Sequence, residues 1–225
     1  MLGGIITNLR CQILKYLKAI IFIGKIFKYV YFLSILVILS SCKKPVEEYY
    51  IPNELKSALP FKGYETIIYT NGFNNTIELK AGERVDEIKK YYTDHTDSDY
   101  ILSENCYINF SNEDYLLGFF MGSEVSPPKV IIFSFSFVKY DYDYFSSYFG
   151  VLDKNDTINF LDSLFVNGSW LHEIYYDRMK YVLLSKPFPE DSLVFPVKSY
   201  YSKQYGVVRI DFSDSTSWEL ESIEW

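Results

Sequence analysis

The sequence predicts a mainly β protein: a single antiparallel β domain, sandwich or half-barrel, with room for one short helix, standing behind an N-terminal export segment. Three observations carry that expectation. Aromatic and β-branched residues alternate with polar ones over long stretches, the period of a half-buried strand; most of the 22 Tyr and 18 Phe lie beyond the apolar leader. Short Asn/Gly and Ser/Asp clusters separate the alternating runs at hairpin spacing. An apolar stretch whose only charges are basic ends at residue 41 and gives way to an acidic, polar remainder.

Each strand can be justified in turn. Tyr64–Thr70 runs into Asn71-Gly72 and is followed by Thr76–Lys80, a hairpin across a Gly/Asn turn. Arg84–Tyr92 fits two periods: Val85, Ile88 and Tyr92 stand at helical spacing, whereas Val85, Glu87, Lys89 and Tyr91 share one face of a strand. The optional short helix belongs here. Cys106–Phe110 and Tyr115–Met121 flank Ser111-Asn112-Glu113-Asp114, a second hairpin. After Pro127-Pro128, the run Val130–Tyr140 alternates Ile131, Phe133, Phe135 and Phe137 with Ile132, Ser134, Ser136 and Val138, the clearest strand of the chain. Asp141–Phe149, rich in Tyr, Asp and Ser, is expected to be loop. Ile158–Val166 and Trp170–Tyr176 join through Asn167-Gly168-Ser169 as a third hairpin. Tyr181–Ser185 adds a strand that Pro187 and Pro189 end. Val197–Ser202, Val207–Phe212 and Ser217–Ile223 form a three-strand meander, with turns at Gln204-Tyr205-Gly206 and Ser213-Asp214-Ser215.

The leader has a chemistry of its own. Residues 1–28 carry Arg10, Lys15, Lys18, Lys25 and Lys28 and no acidic residue, and Tyr29–Leu39 is uncharged and apolar, the two regions of an export signal. Leu39-Ser40-Ser41-Cys42 then sets two small residues before a thiol. The quartet resembles the bacterial lipoprotein lipobox. That resemblance implies cleavage before Cys42, a diacylglyceryl thioether on Cys42 and an acylated mature N-terminus; each buried CH₂ adds about 0.8 kcal/mol to such an anchor. The competing reading is an uncleaved spanning helix over Ala19–Ser41. Lys25 and Lys28 oppose it, each costing roughly 2.5–3.5 kcal/mol near a helix centre. Lys43 stands where lipoproteins of this class carry Asp if they are kept in the inner membrane, which favours the outer membrane, on its periplasmic or surface face. The chain is thus divided into a signal over 1–41, a lipidated N-terminus and tether over 42–58, with Lys43–Glu48 solvated, and a β domain over 59–225. The ending YYSKQYGVVRIDF…SWEL is similar to a hairpin of envelope lipoproteins and, weakly, to a strand of lipid-carrying half-barrels. Asp156-Thr157-Ile158, Asp162-Ser163-Leu164, Asp191-Ser192-Leu193 and Asp214-Ser215-Thr216 resemble acceptors of a periplasmic O-glycosylation system, and are equally ordinary turn chemistry.

Composition narrows the functional classes. With the five leader cations removed, the 22 Lys and Arg fall to 17 against 29 acidic residues, a formal charge of −12; this disfavours nucleic acid as a partner. Cys11 leaves with the leader and Cys42 is modified, so Cys106 stands alone, expected inside a strand and inert. His95 lies among Asp94, Asp97 and Asp99, but the cluster lacks the Gly of a calcium loop, and a solvated acidic loop is expected there. His172 is expected to be structural. No nucleophile elbow, His-Glu-x-x-His or phosphate-cradling loop occurs. The expectation is therefore a non-enzymatic protein with no catalytic residue, metal or cofactor. Its candidate ligand-binding residues are Tyr140, Tyr142, Tyr144 and Tyr148, interleaved with Asp141 and Asp143, a pattern suited to a protein or glycan partner. The other Tyr pairs, 49–50, 91–92, 175–176 and 200–201, are read in the same way, against the alternative of an edge strand or loop protected by charge. The alternative is a carrier of an apolar ligand or lipid in a half-barrel cavity lined by Phe133, Phe135 and Phe137.

Overall fold

Period-two alternation organises most of the described residues. The computed structural model describes residues 31, 32, 34, 45–71, 73, 75–92, 100–122, 130–138, 144–150, 159–182 and 194–225, and Pro45–Trp225 folds as one unit. Its strands are β1 (Glu47–Tyr49), β2 (Thr66–Asn71), β3 (Thr76–Ala81), β4 (Val85–Tyr92), β5 (Tyr100–Ser111), β6 (Tyr115–Met121) and β7 (Ile131–Phe137). They continue as β8 (Tyr144–Phe149), β9 (Phe160–Val166), β10 (Ser169–Arg178), β11 (Lys180–Val182), β12 (Pro196–Ser202), β13 (Gly206–Phe212) and β14 (Ser217–Glu224), and one helix, α1, spans Asn53–Ala58. All strands belong to one sheet, ordered β11-β8-β7-β6-β5-β3-β2-β14-β13-β12-β10-β9. The pairing is antiparallel throughout, except that β1 runs parallel to β5. Among the described residues no helix is long and apolar enough to cross a membrane.

All three hairpins and the C-terminal meander form where the turn residues place them. Asn112 Oδ1 closes the β5–β6 turn by accepting from the backbone N–H of Asp114 and Tyr115, both at 2.9 Å. At the β9–β10 turn Asn167 and Gly168 have φ of 42° and 81°, the left-handed pair that a two-residue hairpin needs and that Asn-Gly supplies.

Three expectations change. Arg84–Tyr92 is not helical: β4 pairs with β5 along its full length, from Val85 with Tyr107 to Tyr92 with Tyr100. Ile88 and Tyr92, the helical-spacing residues, are exposed, while Val85, Glu87 and Tyr91 on the strand face are half-buried. Tyr144–Phe149 is strand rather than loop, because Phe145 and Phe149 reach the core and the buried Ser147 Oγ bonds Ser199 Oγ at 2.5 Å. The stretch read as tether carries β1 and α1. Leu55 and Ala58 of α1 are buried, and the Glu104 carboxylate holds this segment, accepting from Ile51 N at 3.0 Å and Lys56 Nζ at 2.6 Å.

Only Met179 separates β10 from β11, so one run of chain pairs with β12 at one end and with β8 at the other. The sheet is therefore rolled, and its inner face is filled by rings. Phe61, from the segment after α1, lies 4.7 Å from Phe110 and 5.1 Å from Phe119. Tyr201 donates its hydroxyl to Ala58 O at 2.5 Å and Tyr69 donates to Val207 O at 2.7 Å, so these two buried phenols find backbone acceptors, whereas the buried Tyr175 hydroxyl has none among the described residues. Phe133 and Phe135 are fully buried in this packing. The Phe133 ring is 5.3 Å from Phe119, and Phe135 is 5.5 Å from Trp218, 5.9 Å from Phe212 and 5.3 Å from Phe137. The wall they were expected to offer to an apolar ligand faces other side chains instead.

Candidate functional site

Where β10 and β11 cross from one neighbour to the other, alternation sends Tyr175, Met179 and Tyr181 toward the core and leaves Tyr176, Arg178 and Lys180 on the outer face. Pairing then adds strands in register. Tyr176 stands opposite Tyr200 and Arg178 opposite Lys198. Tyr200 in turn faces Arg209 and Lys198 faces Asp211; Arg209 faces Glu219 and Asp211 faces Ser217. The outer face thus carries two rungs over four strands, Tyr176–Tyr200–Arg209–Glu219 and Arg178–Lys198–Asp211–Ser217. A register shift between Tyr200 and Tyr201 takes up Val208 as a bulge, which keeps Arg209 beside Tyr200.

The rungs are cross-linked by charge. Lys198 Nζ lies 3.8 Å from the Tyr176 ring centre and 4.7 Å from that of Tyr200, a cation–π geometry. Tyr200 donates to Asp211 Oδ2 at 2.8 Å, while Arg209 Nε donates to Asp211 Oδ1 at 2.7 Å and its second nitrogen to Glu219 Oε1 at 3.0 Å. Burial, and then the Asp211 bond, raises the Tyr200 pKa, so the phenol keeps its proton. Burial acts the other way on Lys198, lowering its pKa; Asp211 opposes the shift and the like charges of Arg178 and Arg209 reinforce it.

Beside these rungs lies a cleft of about 550 Å³ lined by Asn159, Tyr176, Asp177, Arg178, Lys180 and Lys198. Asn159 is held there because its carbonyl accepts from Tyr176 N at 2.9 Å. Both Asp177 oxygens are taken by backbone N–H groups, Oδ2 by Tyr148 at 2.9 Å and Oδ1 by Arg178 at 2.8 Å. That bond to Tyr148 ties β8 to the cleft.

Of the four tyrosines expected to bind a ligand, Tyr148 is 44 % exposed on β8 and its backbone N–H reaches Asp177, but its ring does not line the cleft. Tyr144 sits on β8 opposite Val182 of β11. Tyr140 and Tyr142 lie outside the described residues, as do the His95 loop and the acceptor-like sites at Asp156 and Asp191. Cys42 also lies outside them. Cys106 is buried in β5, and burial together with the Asp86 carboxylate pushes its thiol up to about 12. His172 is exposed on β10 rather than enclosed. Asp214 serves its own turn, accepting from Thr216 N at 3.0 Å and Thr216 Oγ1 at 2.6 Å.

Lys198, Arg178, Lys180 and Arg209 were missed in the sequence because they come from β10 to β13 and meet only through register. The available signal was the period-two string Tyr176-x-Arg178-x-Lys180 and its counterpart Lys198-x-Tyr200. A second cavity, of about 290 Å³, lies by Val166, Leu171, Tyr205, Leu220, Ile223 and Trp225. No family model matches this chain, and neither a curated protein nor a solved structure does.

Proposed function

We propose that this chain is an envelope lipoprotein, anchored to the outer membrane through acyl chains on Cys42, that serves as a non-enzymatic binding module for a glycan or a protein. The observation that carries the binding reading is the cleft of about 550 Å³ on the outer face, rimmed by Tyr176, Lys198 and Arg178 and joined to Tyr148 through Asp177. Its size falls within the range of small-ligand sites, roughly 300–1,000 Å³. Flat rings with polar tips, next to the cations Arg178, Lys180 and Lys198, are the chemistry of adaptable recognition. The anchor rests on the Leu39-Ser40-Ser41-Cys42 quartet.

Binding to a glycan array and to envelope extracts, compared between the native chain and a Tyr148→Ala plus Tyr176→Ala variant, tests this function. The expected outcome is binding that the double variant loses while keeping its far-UV spectrum; equal binding by both proteins rejects this site. Mass spectrometry of membrane-extracted protein should find a diacylglyceryl group on an N-terminal Cys42, and an unprocessed N-terminus would remove the anchor.

A further inference from the structure

Resting on that binding reading, we infer that the occupant of the cleft between β8, β10 and β12 is an anionic saccharide, whose acidic group is held by Arg178, Lys180 and Lys198. The first argument is one of unspent charge. Arg178 and Lys198 are directly opposed across a strand pair, an arrangement that costs stability when both are cations. Nearby carboxylates are already engaged: Asp177 with two backbone N–H groups, Asp211 with Tyr200 and Arg209, and Glu219 with Arg209 and Asn167 N. Among the described residues no carboxylate forms an ion pair with Arg178, Lys180 or Lys198. An anion entering the cleft relieves that repulsion, and a guanidinium can grip a carboxylate, sulfate or phosphate through two parallel bonds. In a mature chain of formal charge −12, three cations on one cleft, none held in an ion pair by a described carboxylate, are selective for such a group.

The second argument concerns the rest of the ligand. An acidic peptide that bound by adding a strand would need a free edge. Here β12 pairs with both β10 and β13, and β10 pairs with β12 through Arg178 and with β9 as far as Tyr175, so only Asp177 and Arg178 lack a second strand, too short a ladder to seat an added one. The cleft offers side chains: the half-buried Tyr176 ring and the Asn159 amide. A pyranose has one flat apolar face to set against a ring and hydroxyls for the amide, and a cleft of this volume holds a small number of such rings.

Titration calorimetry on the detergent-solubilised full chain tests this with four probes: oligogalacturonate, a chondroitin sulfate oligosaccharide, maltohexaose and poly-glutamate. The acidic sugars should bind about ten-fold or more tightly than maltohexaose, the weight of one charge-assisted contact. Their affinity should fall as salt rises from about 50 to about 300 mM. A preference for the uronate over the sulfated probe, or the reverse, assigns the acidic group. Arg178→Gln with Lys198→Gln should weaken acidic-sugar binding by about ten-fold or more, and the charge-keeping Lys198→Arg should retain most of it, which separates a lost contact from a lost fold. Equal binding of maltohexaose, or indifference to the double Gln variant, overturns the anionic assignment and leaves the binding module standing. Poly-glutamate binding as tightly as the sugars overturns the saccharide. Binding of none of the sugars, on a broad array as well, overturns both this inference and the glycan reading beneath it.

Discussion

The inner and outer faces of β10 and β12 use the same residue for opposite purposes. In each of two Tyr pairs one ring turns in and its neighbour turns out: Tyr175 and Tyr201 join the main core, while Tyr176 and Tyr200 stand on the outer face. Tyr201, inside, is sealed among Phe119 and Phe149 and donates to a backbone carbonyl. Tyr200, one residue earlier, donates to a carboxylate and lies beneath Lys198. Adjacent tyrosines on a strand thus enter different clusters on the two faces of the sheet, and a Tyr-rich composition says nothing about function until the register is known.

Truncating the inner face should have the largest effect. Phe135→Ala removes a fully buried ring that touches Phe212, Phe137 and Trp218, and should cost about 3–5 kcal/mol in urea unfolding. The outer-face Arg178→Gln and Lys198→Gln pair should stay within about 0.5 kcal/mol of the native chain. A comparable loss from both would erase the distinction between the faces.

Next in size is Gly206→Ala, at the start of β13. Gly206 has φ of 76°, and a Cβ there would come within 2.5 Å of the Phe61 ring, which is itself locked against Phe110. Backbone strain and overpacking together should cost about 1–3 kcal/mol by thermal or urea melting. A neutral result would show that Phe61 can yield and that the core is looser than its ring contacts imply.

The smallest effect sharpens the comparison through pH. Cys106 has its thiol raised from its ordinary value near 9.0 to about 12 by burial and Asp86, so in the folded chain it stays protonated where an unfolded chain ionises. Its contribution is whole below the unfolded value near 9 and is lost as pH rises toward 12. Between pH 8 and pH 10 the native chain should lose about 1 kcal/mol more than Cys106→Ala does. Parallel pH profiles of the two proteins would show that Cys106 is open to solvent.

The elements easiest to read were those with turn chemistry and a clean inner face. The Asn167-Gly168 hairpin, the β5–β6 turn and the C-terminal meander needed no tertiary information. Two strands hid for physical reasons. β4 borders β5 with a face only half-buried, so its apolar residues never separate cleanly into one period. β8 hid because its buried positions include Ser146 and Ser147, and serine in a core strand reads as loop until its partner, Ser199, is in view. Of the residues lining the cleft, only Tyr176 was singled out in the sequence, as one of several Tyr pairs. Its cations come from strands joined by pairing, and no local pattern says that Arg178 will face Lys198.

The pairing of β2 with β14 sets an order of events. Trp218–Glu224 hydrogen-bonds to Thr66–Asn71, so the earlier strand must keep one edge unsatisfied until roughly the rest of the domain has been made, and contacts so distant along a chain form slowly. During synthesis that bare edge is the place where a nascent molecule is most open to a chaperone or to a neighbour. A chain clipped before β14 would keep that exposure for good.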